Sequence, residues 1–290
     1  MSNKFERLSW FVLSKAFELA SVLGEFFMMG VLRLLREATT TLVCVTFVLG
    51  AYSGAFGQAA QGTTANSLLA QSASAFSGDQ VVQKVQLSGT VTLNAGDLQD
   101  SGTITLTAAA DGSLQTTLLL SSAGQRTETK TGIGSRADCQ WSGADQTTHD
   151  VDPGNCWKSV VWFLPSISLQ PSLLPSYLAA VDLGTGTVGS SANVYRHVQS
   201  QLAFSGLSSS LTSQTAQQSI TDLGFDPVTL LPSALAYTIH SDSGSAVIAV
   251  EVHYSNYQRF SGLMIPCHIE RYLNGSLELA IDVTQATSVN

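Results

Sequence analysis

Cys139 and Cys156 bracket a turn-rich stretch of 16 residues, QWSGADQTTHDVDPGN. In an exported chain the economical reading of such a pair is a disulfide, which for a loop of this size stabilises a fold by roughly 3 kcal/mol. The alternative recruits the two thiolates with His149, Asp150 and Asp152 to a metal, but the spacing matches no C-x-x-C zinc pair. Gly184-Thr-Gly-Thr-Val-Gly189 satisfies the pattern G-x-G-x-x-G. That pattern binds a dinucleotide only where a helix opens after the glycines and an acid follows about 20 residues on. Here SSANVYRHVQSQL follows with strand period, and no Asp or Glu lies between Leu183 and Thr221, so a glycine-rich connection is expected.

Acid–base chemistry has two candidate pairs, His268 with Glu270 and His253 with Glu251. Each is an i, i+2 pair on one strand face, which the solvent side of any amphipathic strand supplies. Neither G-x-S-x-G nor H-E-x-x-H occurs, so no catalytic residue, metal or cofactor is expected, and the chain is not expected to be an enzyme. Cys267 alternates with apolar neighbours and reads as a buried free thiol. The remaining candidate is apolar. In KSVVWFLPSISLQPSLLPSYLAAVDL, the residues Trp157, Trp162, Phe163, Leu164, Leu173, Leu174, Tyr177 and Leu178 suit the lining or plug of a ligand cavity, or an ordinary core. Pro165, Pro171 and Pro175 limit any helix there to a turn or two, so the segment must bury itself against something, and the concave face of a sheet is the obvious place.

The elements that would position these groups are strands. Ile248, Val250, Val252 and Tyr254 alternate with Glu251, His253 and Ser255; Leu263, Ile265, Cys267 and Ile269 share one face of the next run, and Leu277, Leu279, Ile281 and Val283 one face of the last. A three-residue bulged turn, Leu273-Asn274-Gly275, would pair Ile269 with Leu279 and Cys267 with Ile281, and would leave Glu270 facing Glu278. Ala110-Asp111-Gly112 asks for the same turn between Ile104/Leu106 and Leu114/Leu118. The motif Ser88-Gly-Thr-Val-Thr-Leu93 recurs once, at Ser101–Leu106, as two strands of one meander. Gly124–Gly132, GQRTETKTG, has no apolar face and reads as a solvated or edge strand. Short helices are expected at Ser67–Ser77, at Gln214–Leu223 and from Asp226-Pro227.

Of the 290 residues, 44% are hydrophobic and 12% charged, which is globular composition. The formal net charge is −8; past Gly57 there are eight basic and 17 acidic residues, hence −9, which argues against a nucleic-acid partner. Arg33 and Arg36, the apolar run TLVCVTFVL and the small residues around Ala55-Phe56-Gly57 make up a signal peptide within an N-terminal extension, 1–57, with an uncleaved anchor as the alternative. Met28 or Met29 would begin a signal of ordinary length. Val43 precedes Cys44 where lipidation wants a small residue, so no lipid is expected on Cys44. A linker is expected over 58–66 and a single domain over 67–290.

Taken in order, SLLAQSASAFSG, VQKVQLSGTVTL and the closing meander YSNYQRFSGLMIPCHIERYLNGSLELAIDV resemble the periplasmic lipoprotein-carrier superfamily of half-barrels, with Tyr254, Tyr257, Gly262, Pro266 and Asn274-Gly275 at matching places. The resemblance covers Ser67–Leu93 and Ala246–Val283. It implies an α+β, mostly β fold, in which a curved antiparallel sheet cups short helices on its concave face. It also implies a periplasmic or secreted, non-catalytic protein whose partner is a lipid or an acylated protein. The competing expectation is a structural or protein-interaction module of the cell envelope with a filled core and an envelope protein partner.

Overall fold

A computed structural model of the chain describes residues 57–78, 80–132, 137–169, 178–202, 217–240 and 246–289, all within one compact unit. The expected signal region before Gly57 lies outside these residues. Among the described residues thirteen strands form a single sheet in which every pairing is antiparallel, in the order β6-β5-β4-β3-β2-β1-β13-β12-β11-β10-β9-β8-β7. Two meanders therefore run outward from one seam. One arm is β1 (Lys84–Ala95), β2 (Leu98–Ala109), β3 (Leu114–Leu120), β4 (Gly124–Thr131), β5 (Asp138–Ser142) and β6 (Thr148–Asp150); the other is β7 (Leu178–Gly186), β8 (Tyr195–Leu202), β9 (Thr221–Phe225), β10 (Pro232–His240), β11 (Val247–Phe260), β12 (Leu263–Leu273) and β13 (Ser276–Val289). β1 pairs with β13, which joins the first strand to the last. The edge strands β6 and β7 do not pair with each other, so the curved sheet stays open as a half-barrel.

Period-two alternation decides which side chains face inward. Val250, Val252 and Tyr254 on β11, Leu263, Ile265, Cys267 and Ile269 on β12, and Leu279, Ile281 and Val283 on β13 are buried, as the pattern predicts. Gly89 on the seam and Gly102 between β2 and β3 let strands close: a Cβ at Gly89 would overlap the Asp282 carbonyl, and one at Gly102 the Leu119 carbonyl. The β2–β3 hairpin has the expected three-residue loop, with Ala109 and Ser113 joined and Gly112 at φ 80°.

The β12–β13 hairpin differs from expectation. Leu273 pairs with Ser276 across a two-residue loop in which Asn274 (φ 48°) and Gly275 (φ 78°) are both left-handed. The extra residue sits one step further along, because Tyr272 pairs with Leu277 and Arg271 with Leu279, leaving Glu278 as a bulge. The partner of Ile269 becomes Ile281. Glu278 meets Arg271 instead of repelling Glu270, and Leu277 joins the outer face with Tyr272.

Helix α1 spans Gly57–Ser77, ten residues longer than predicted, so the stretch 58–66 is helical and not a linker. Ala59, Ala60 and Ala65 favour that continuation. α1 packs against β7, β12 and a 3-10 turn, Pro165–Ile167. Helix α2, Pro153–Lys158, is capped by Asp152, whose side chain accepts from the Asn155 amide. The helix expected over Gln214–Leu223 lies partly outside the described residues, and its described end from Thr221 is β9. Asp226-Pro227 opens a turn and not a helix: Asp226 Oδ1 accepts from the Val228 and Thr229 amides, and Leu230 at φ 59° redirects the chain into β10. Gly124–Thr131 is likewise not an edge. It is β4, paired on both sides.

Candidate functional site

Part of the inner face is filled. Leu68, Leu69 and Phe76 of α1 and the buried Phe163, Leu164 and Ile167 share one core with inward residues of the sheet. Elsewhere the face is open. A hollow of about 560 Å³ lies between the two arms, with walls from β3, β4 and β5 on one side, β10 and β11 on the other, α2 and Trp162 at one end, and β12 and β13 beneath. Strands so far apart in the sheet line one cavity only because the sheet curls.

Its apolar lining comes from Leu114, Val160, Trp162, Tyr237, Ile239, Ile248, Val250 and Leu273. Burial pushes the Tyr237 hydroxyl up to about 12, so it stays neutral. Trp162 is fixed from three sides. Its carbonyl accepts from the Tyr254 hydroxyl, its ring meets Phe163 edge to face at 5.4 Å, and the Arg271 guanidinium lies 4.5 Å over it.

The polar lining comes chiefly from β4, β12 and β13. Arg126, Glu128 and Lys130 pair across the strand with the buried Leu118 and Thr116 and the half-buried Leu114, so alternation turns all three inward. Arg126 meets Glu128 at 2.9 Å near the lip and lies 5.0 Å over the Trp141 ring, on which His149 stacks at 4.2 Å. Arg271 holds Glu278 with two hydrogen bonds, 2.7 and 3.1 Å. Burial opposes the charge on Arg271, but Glu278 and Glu128 outweigh it and raise its pKa. Lys130 lies deeper, only 5% exposed, and donates to the Ser159 carbonyl. Burial pushes its pKa down to about 8.

α2 closes one end of the hollow and bridges the arms. Cys156 on α2 is disulfide-bonded to Cys139 on β5, and Asn155 is bonded to β10, donating to the His240 carbonyl (2.7 Å) and accepting from its amide (2.9 Å). The disulfide expected from the cysteine spacing is formed, which removes both thiolates from the metal alternative. Among the described residues no cluster of His, Cys, Asp or Glu is arranged to hold a metal.

Of the apolar residues singled out from sequence, Trp162 lines the hollow, while Phe163 (0% exposed) and Leu164 (1%) lie in the packed core. Trp157 is in α2 and Leu178 opens β7; Leu173, Leu174 and Tyr177 fall outside the described residues. Sequence reasoning missed Lys130, Arg271 and Glu278. The one signal that could have found the first is the strict alternation of Arg126, Glu128 and Lys130 with threonine, which marks a strand with one charged face. His268 meets Glu270 at 3.5 Å and Asp282 at 2.7 Å, and His253 meets Glu251 at 3.8 Å, all on the outer face. After Gly184-x-Gly186 the chain leaves β7 and re-enters the sheet at Tyr195, with no helix between.

Fold and site together define an open antiparallel half-barrel with a partly filled inner face and an amphipathic hollow. No family model matches the chain, and no curated protein matches it. Among solved structures it is similar to a domain assigned to outer membrane lipoprotein sorting in Vibrio parahaemolyticus, at 6% identity over 78% of this chain and 93% of that one, with a TM-score of 0.50. It is similar to the same degree, TM-score 0.50, to a DUF1329 family protein from Desulfovibrio piger, at 10% identity over 79% of this chain and 93% of that one. A LolA superfamily protein from Nitrosomonas europaea aligns over 78% of this chain and 94% of its own, at 11% identity and TM-score 0.48. At such identities what is shared is the fold, and it is the half-barrel expected from the sequence.

Proposed function

We propose that this chain is an exported, non-catalytic protein of the cell envelope that binds an apolar or acyl-bearing ligand, a lipid or an acylated protein, in the hollow of its half-barrel. The observation that carries this reading is the 560 Å³ cavity on the concave face, whose size suits one small-molecule ligand and whose walls are mainly aliphatic and aromatic. The fold, shared with a lipoprotein-sorting domain, supports it. No described helix is long and apolar enough to cross a membrane. A periplasmic or secreted location is part of the proposal and rests on the N-terminal sequence, as does a single domain following the signal. We place Trp162 against the ligand with Tyr237, Ile239, Val250 and Leu273; Trp157, Phe163, Leu164, Leu173, Leu174, Tyr177 and Leu178 are the other apolar residues that the sequence proposes for ligand binding.

Titration with methyl palmitate, followed by displacement of a fluorescent acyl probe, tests this. Saturable binding is expected, and Val250→Trp, which fills the hollow, should weaken it at least about tenfold. Absence of saturable binding to the wild-type protein would overturn the reading.

A further inference from the structure

The hollow's charges do not cancel. Three cations and two carboxylates line it: Arg126 is held by Glu128 at 2.9 Å, and Arg271 by Glu278 at 2.7 Å. That leaves Lys130. Among the described residues no carboxylate lies within ion-pair distance of it, although its side chain is almost fully buried. Its bond to the Ser159 carbonyl occupies one of the three donors an ammonium carries. The cross-strand neighbours of Lys130, Leu114 and Cys139, supply no counter-charge, since one is apolar and the other is in the disulfide.

The Asp111 carboxylate acts on Lys130 only from beyond ion-pair distance and does not offset the cost of its burial; an anion arriving with a ligand would relieve that cost through a charge-assisted hydrogen bond in a site of low dielectric. The rest of the lining specifies what accompanies that anion. Beyond Lys130 the walls are Leu114, Val160, Trp162 and Tyr237, which suit a hydrocarbon chain. With Glu128 and Glu278 each held by an arginine, three cations and two carboxylates leave the lining at a net charge of +1, which a singly charged head neutralises and a doubly charged one would overshoot.

We infer that the hollow takes a long-chain carboxylate, whose head is anchored by Lys130 and whose tail lies against Trp162 and Tyr237. This deepens the ligand-binding reading above and rests on it. Lys130 is then the specificity-determining residue, separating an acid from its ester.

The experiment compares palmitate, methyl palmitate and hexadecyl phosphate on the whole protein by displacement of the same acyl probe. The wild type is expected to bind palmitate about tenfold or more tightly than the methyl ester, the worth of one buried charge-assisted bond. Lys130→Met should erase that preference while keeping affinity for the ester. If acid and ester bind the wild type equally, or if Lys130→Met keeps the preference, the inference fails while the ligand-binding reading stands. Tighter binding of hexadecyl phosphate than of palmitate overturns the carboxylate class. If no ligand binds, the broader reading falls with it. The comparison within the wild type needs no variant to fold; Lys130→Gln offers a second neutral replacement.

Discussion

The inner face of one sheet is used in two ways. Around α1, the inward positions carry no charge and are mostly Leu, Ile, Val and Phe, and Phe76, Phe163, Ile265 and Ile269 are completely enclosed. Elsewhere on the sheet, on β4, β12 and β13, the inward positions become Arg126, Glu128, Lys130, Arg271 and Glu278, and a hollow opens. The backbone pattern is the same in both places. What changes is whether an apolar element can seal the face: α1 and the 3-10 turn gain by covering aliphatic side chains, but covering five charged groups would strip them of water. Inward charges therefore keep a cavity open as effectively as missing volume would.

The largest effect should come from the filled region. Phe76→Ala removes a fully enclosed ring and should lower unfolding free energy by about 3–5 kcal/mol, read from denaturant midpoints. Leu273→Ala, at the wall of the hollow, faces space that already exists and should lower it by about 1 kcal/mol or less. Equal losses would mean that the hollow is closed and packed in solution.

Next comes the bridge between the arms. Replacing Cys139 and Cys156 by Ser should lower stability by about 3 kcal/mol, and ligand affinity should fall as well, since α2 carries Asn155 to β10 and Ser159 to Lys130. Loss of stability with unchanged affinity would mean that the walls hold their places without the cross-link.

Lys130→Met should move stability in the opposite direction. The folded pKa of Lys130 is depressed from 10.5 to about 8, so below pH 8 the ammonium is charged in both states and burial penalises the folded one. At 1.36 kcal/mol per unit this is about 3 kcal/mol, of which the lost bond to Ser159 returns about 1. The variant should be about 2 kcal/mol more stable near neutral pH. Between pH 8 and 10.5 the unfolded chain binds more protons, wild-type stability rises with pH, and the gap narrows. Urea titrations across this range check the sign.

The filled region was legible in the sequence and the hollow was not, for physical reasons. Ile265, Cys267 and Ile269 announce an inner face because alternation of apolar residues has one meaning on a half-buried strand. Arg126, Glu128 and Lys130 alternate just as strictly, but charge at every second position is equally compatible with a solvated face, and only tertiary context separates the two. The bulge at Glu278 carries no mark in LNGSLEL. The parity argument that placed Ile269 and Ile281 on one face demanded one extra residue near the turn, and it was right in number and wrong in place. Trp162 was found because a tryptophan in a proline-broken apolar segment has to be buried somewhere. Arg271, three residues from the Asn274 turn, gave no reason to expect an inward, half-buried guanidinium stacked on that ring.

The smallest effect should come from the outer face, where charge is arranged with equal care but in water. The pKa of His268 is raised, chiefly by its hydrogen bond to Asp282, against a smaller opposing effect of burial and with help from Glu270. A raised pKa gives stabilisation that is complete below the unfolded value near 6.5 and is lost as pH rises through the folded value. Because His268 and Asp282 are both substantially exposed, solvent screens the pair, and His268→Gln should cost about 0.5 kcal/mol or less at about pH 5.5 and less than that once the pH is above the folded pKa. Denaturant midpoints of the two proteins at those pH values would show it. A loss as large as the gain expected for Lys130→Met would mean that exposure does not govern the worth of charge on this sheet, and the contrast between its open and sealed faces would have to rest on packing alone.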